Sequence, residues 1–117
     1  MPLAWLLAPE SESIVKIQVE NTLCTEQIKI ILACEAIDYN VVIDAEHDKS
    51  YIIWCDNNND KKKIYNTCAR NLLQNIPFMF DTYDQLFLVM AYNKEGSVVE
   101  DMNISEEEFV KLHVNII

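Results

Sequence analysis

The stretch IVKIQVENTLCTEQIKIILACEAIDYNVVI, Ile14 to Ile43, carries the decision about the fold. In SIVKIQVE (Ser13–Glu20), Val15, Ile17 and Val19 alternate with Lys16, Gln18 and Glu20, the period of a strand with one buried face. CTEQIKIILACEAI (Cys24–Ile37) comes next, with Ile28, Ile31 and Leu32 on one side and Ile30, Cys34 and Ile37 on another. Apolar residues nearly all the way round predict a well-buried helix. YNVVIDAE (Tyr39–Glu46) reads as a second strand. A strand, a helix and a strand in succession predict a right-handed crossover and a parallel pair.

Downstream, SYIIWC (Ser50–Cys55) is a short strand or an apolar loop on the core. DNNND (Asp56–Asp60) is a turn or an N-cap cluster, since Asn and Asp side chains bond nearby backbone groups. An EF-hand loop is excluded there, because Lys61 stands where glycine is required and Thr67 where the bidentate glutamate belongs. KKKIYNTCARNLLQ (Lys61–Gln74) has a helical stripe of Ile64, Tyr65, Cys68, Leu72 and Leu73. NIPFMFDT opens a strand at Pro77, and QLFLVMAYN, the turn NKEG and SVVEDM make a hairpin. ISEEEFVKLHVNI closes the chain as a helix, with Ser105 and Glu108 at capping-box spacing and Phe109, Leu112 and Ile116 on its apolar side.

The 117 residues, 50% of them hydrophobic, suit one domain over 1–117. Residues 1–12 form an apolar strap or an extra strand, too short in their apolar run for a secretory or membrane-spanning segment. Nineteen acidic against nine basic residues give a formal charge of −10. Such a surface repels phosphate backbones and anionic lipid, so direct nucleic-acid and membrane binding are disfavoured. It also admits an acidic nucleic-acid mimic occupying a basic protein surface. Cys24, Cys34, Cys55 and Cys68 have no C-x-x-C spacing, and His47 and His113 do not complete a zinc site, so no metal is expected. Reduced thiols point to an intracellular, cytoplasmic setting. One glycine, eleven asparagines and fourteen isoleucines suggest an AT-rich coding genome, as in a large DNA virus or a parasite.

The order β-α-β-α-β-β-α resembles the thioredoxin fold in its glutaredoxin or glutathione-transferase N-terminal form. Ile14–Ile43 is similar to the family's first strand, nucleophile-bearing helix and second strand, with Cys24 in the nucleophile's place. NIPFMF, with Pro77, resembles the cis-proline segment that opens the third strand. The resemblance implies an α/β three-layer sandwich around a four-stranded mixed sheet. It also implies a binding groove of Thr22, Gln27, Ile76 and Pro77 beside Cys24. The departures bear on activity. Gln27 stands where the resolving cysteine would be, the family's glycine pair is missing, and Glu26 places negative charge beside the thiol. Dithiol exchange and glutathione binding are both disfavoured by these residues.

The expectation is an interaction or redox-regulatory protein that binds a protein partner or forms a homodimer. The alternative is a monothiol exchange enzyme with Cys24 as nucleophile and glutathione as resolving thiol. A helix N-terminus favours the thiolate, although a cysteine there can equally be a small packing residue. Pro77 is open between a cis bond that exposes Ile76 and a trans residue starting a strand. Cys55 and Cys68 are open between a disulfide and separate thiols.

Overall fold

A computed structural model describes residues 1–8, 13–44, 47–56, 67–73, 86–93, 95 and 98–112. In chain order the elements are β1 (Leu3–Leu7), β2 (Val15–Gln18), α1 (Thr25–Leu32), β3 (Ile37–Asp44), β4 (Lys49–Asp56), α2 (Thr67–Leu72), β5 (Phe87–Asn93), β6 (Val98–Glu100) and α3 (Glu106–Val110). Six strands form one sheet in the order β2-β1-β5-β4-β3, with β6 also paired to β5. Every ladder is antiparallel. β4 takes one side of β5; β1 and β6 share the other, β1 beside Phe87–Val89 and β6 beside Ala91–Asn93.

This architecture overturns the thioredoxin-like expectation. β2 and β3 do run in the same direction, but β1, β5 and β4 lie between them and they occupy opposite edges of the sheet. The four-stranded mixed sheet is instead a six-stranded sheet with no parallel pair among the described strands. Two features redirect the chain. The terminal run LAWLL forms β1, an interior strand, and takes the place beside β2 that the crossover would have filled. Asp44 to Lys49 then turns β3 back onto β4, so β3 pairs with the next strand in the chain and not with the strand that leads into α1. At that turn Asp44 Oδ1 accepts the His47 amide at 3.3 Å, its Oδ2 lies 2.8 Å from His47 Nδ1, and Asp48 adopts a left-handed φ of 51°. Asp tolerates that conformation because its short polar side chain bonds locally.

The helix after Cys24 is shorter and more one-sided than its composition implies. It ends at Ala33, left-handed at φ 51° and ψ 49°, where Ala33 N donates to Ile30 O and Cys34 N to Lys29 O. That is a Schellman closure with alanine in the position glycine usually fills. Ile28 and Leu32 are buried, whereas Ile30 is 78% exposed, which corrects the expectation of a helix buried on all sides.

SYIIWC proves to be an interior strand. Along β4 and β5, alternate residues face opposite layers. Tyr51, Ile53, Cys55, Phe87 and Val89 pack with α2 and α3, while Ile52, Trp54, Leu88 and Met90 pack with α1. Strands covered on both faces need apolar residues at every position, and hence the unbroken runs YIIWC and FLVMA. Phe109 of α3 meets Trp5 of β1 at 5.5 Å and Tyr51 of β4 at 5.4 Å, both edge to face. One ring therefore joins the two halves of the sheet from below. Ser105 caps α3, its Oγ accepting the Glu108 amide at 3.1 Å.

Candidate functional site

β2 and β3 end the main path of the sheet, while β6, off that path, pairs with β5 and bonds Asn21 and Thr22; β3 is the longest of these three strands. Its inner side pairs with β4 over eight positions, from Ile37 opposite Asp56 to Asp44 opposite Lys49. No described strand pairs with its outer side. The outer backbone groups of an edge strand are a template for another strand. Proteins commonly blunt such an edge with lysine, proline, a bulge or a short length. IDYNVVID has no lysine, arginine, proline or glycine, and it runs eight residues.

Its two faces are unequal. Asp38, Asn40, Val42 and Asp44 lie on the α2 and α3 side, where Val42 is fully buried and Asp44 nearly so. Ile37, Tyr39, Val41 and Ile43 lie on the α1 side, where Tyr39 is 56% and Val41 44% exposed. The Tyr39 ring lies 5.2 Å from that of Trp54, tilted by 45°. Trp54 is itself 4% exposed, and its indole N–H has no hydrogen-bond partner. Exposed apolar side chains therefore run along an edge that no described strand covers, where the Tyr39 amide donates to Asp38 Oδ1 at 2.8 Å; an incoming extended chain would add main-chain hydrogen bonds and apolar contact there.

The residues singled out from the sequence are placed differently. Cys24 is exposed at the N-cap of α1, with extended backbone (φ −126°, ψ 102°), and its side chain makes no capping hydrogen bond. Thr22 forms an isolated antiparallel bridge with Val98. Gln27 turns back toward β2, its Oε1 accepting the Glu20 amide at 3.0 Å. Glu26 pairs with Lys29 at 3.5 Å. Thr22 and Gln27 thus tie the β2–α1 connection to its surroundings. Ile76 and Pro77 lie outside the described residues.

Cys55 and Cys68 are free thiols buried in the same layer. Burial pushes Cys55 up to about 12, assisted by the charges of Asp38 and Asp56 and by Cys34. Burial and Glu106 push Cys68 upward as well. Neither thiol therefore has the thiolate character that exchange chemistry requires. Among the described residues no group of three or more His, Cys, Asp or Glu side chains could hold a metal ion, and no helix is long and apolar enough to cross a membrane.

Tyr39, Val41, Asp44 and His47 do not stand out in the sequence as site residues. The available signal was YNVVIDAEHDKSYIIWC, two β-rich runs on either side of an Asp- and His-containing turn. It marks a hairpin, and among the described strands the first of its two strands has no second partner. No protein-family model matches this chain, and neither does any curated protein or solved structure at a significant level.

Proposed function

We propose that this domain is a protein-interaction module whose β3 edge receives an extended strand. The observation that supports this reading is the eight-residue outer strand without lysine, proline or glycine, beside which Tyr39 and Val41 stand exposed. Main-chain pairing would supply affinity, and the alternate positions Ile37, Tyr39, Val41 and Ile43 would select apolar side chains on the incoming strand. Thiol exchange at Cys24 has less support, since the strand order removes the thioredoxin-like context and leaves only the exposed position at the N-cap of α1.

A synthetic peptide with the β3 sequence, added to dilute protein, tests the edge directly through amide hydrogen exchange. Binding should slow exchange at alternate β3 amides by roughly tenfold or more and leave β2 unchanged. Unaltered exchange along β3, or protection on β2 instead, would overturn the reading.

A further inference from the structure

We propose that the strand received at this edge is β3 of a second copy, in a two-fold dimer centred on Asn40; the inference rests on the strand-addition reading above. Directly opposed residues in an antiparallel pair point to the same face of the sheet. A two-fold axis perpendicular to a continuous sheet must therefore set one residue of β3 opposite its own copy. Two centres align nearly the full strand, Asn40 and Val41.

Charge separates the two. About Val41, Asp38 falls opposite the partner's Asp44, and symmetry repeats the clash. Like charges directly opposite each other destabilise a strand pair, and both chains already carry −10. About Asn40, Asp38 falls opposite the partner's Val42, and Asp44 falls beyond the ladder, opposite the partner's Ala36. No acid then meets an acid. On the α1 side the same register sets Ile37 against the partner's Ile43 and Tyr39 against the partner's Val41. The four apolar positions on this face of β3 are thereby matched with the same four in reverse order. Asn40 meets the partner's Asn40 on the axis, where two amides can exchange hydrogen bonds.

In this one register the strand is complementary to itself on the α1 face and sets no acid directly opposite an acid on the other. A single strand pair covers less than the ~800 Å² per partner of a standard interface, so the dimer forms reversibly and depends on concentration.

Sedimentation velocity on the intact chain measures this. The wild type should move from the 13.6 kDa monomer toward twice that mass as concentration rises. Asn40→Asp puts two carboxylates on the axis and should weaken association by roughly tenfold or more, with partial recovery in high salt. Asn40→Lys should do the same. An equimolar mixture of the two should associate again, because each acid then faces a lysine. Circular dichroism on each variant establishes that the monomer is folded, and the lysine variant serves if the aspartate one is not. A wild type monomeric at every concentration would overturn the dimer. If β3 amides were still protected by the peptide, strand addition would survive; without that protection both readings would fall. Variants that associate as well as the wild type, or a mixture that fails to recover, would overturn the register and with it the assigned partner.

Discussion

The two edges of this sheet meet solvent under different terms. β2 is four residues long, carries Lys16, and is fastened beyond its last residue: Val19 N donates to Pro2 O at 2.9 Å and Glu20 N to Gln27 Oε1 at 3.0 Å. Its length, its lysine and its fixed exit limit what could pair with it. β3 is twice as long, and its charges stand at Asp38 and at Asp44, whose carboxylate is occupied by the His47 turn. The difference teaches that edge protection is decided strand by strand. A sheet with one guarded and one open edge can pair in one direction only, which favours a closed pair over a growing fibre.

The comparison breaks most severely from beneath. Phe109 is 1% exposed and touches both Trp5, on the β2 side, and Tyr51, on the β3 side. Phe109→Ala should cost about 3–5 kcal/mol, because the lost transfer energy is joined by a cavity that a sheet on one side cannot collapse to fill. Against a total of about 5–15 kcal/mol for an ordinary domain, that leaves both edges unsupported. Urea unfolding followed by far-ultraviolet circular dichroism would read the loss. A change below about 1 kcal/mol would mean that the two halves of the sheet do not share this ring.

A smaller effect sharpens the comparison. Val42, on β3, is fully buried, whereas Ile17, on β2, is only half-buried and packs at the margin of the α1 layer. Val42→Ala should therefore cost about 2 kcal/mol and Ile17→Ala roughly 1, although isoleucine loses more atoms. The expected order is the reverse of the order by side-chain size. Equal or inverted costs in denaturant titrations would show that β2, not β3, is the better-rooted edge.

What could be read from the sequence was local. The strand at Val15–Gln18, the cap at Ser105, the β5–β6 hairpin and the apolar side of α3 around Phe109 all arise from short-range pattern, and they are present. Val15 is 42% exposed and Ile17 half-buried, however, so the expected buried face of that strand is realised only in part. The order of strands was not legible, because it depends on which strand wins a place beside another. MPLAWLL gives no hint by periodicity that Leu3–Leu7 will sit between β2 and β5, since an interior strand has no polar face to alternate. Likewise the same-direction run of β2 and β3 satisfies a crossover whether or not the two strands touch. Cys24 does lie at a helix start, as its position implies, but a helix start with an exposed thiol is not a site without a partner group to act with it.

The smallest effect is one of pH, and it contrasts the two flanks chemically. Cys24 stands exposed on the β2 flank, whereas Cys55 lies in β4, opposite Asp38 of β3, at 2% exposure. The Cys55 thiol is raised from 9.0 to about 12, by burial first and then by Asp38, Asp56 and Cys34. Cys68 is raised by burial and Glu106, and Tyr51 by burial, Asp44 and Glu108. Each of these groups keeps its proton in the folded chain at a pH where the unfolded chain has released it. Between about 9 and about 12 the unfolded state therefore binds fewer protons, and stability must fall as pH rises. Below that window the contribution is constant. At about pH 10 the loss from Cys55 amounts to roughly 1 kcal/mol, since one unit of pH is worth about 1.4. Cys55→Ala should flatten the slope between about pH 9 and about pH 10. A slope that ignores Cys55 would place that thiol in water. The shelter that β3 gives β4 would then be absent, and with it the rigid edge on which strand addition depends.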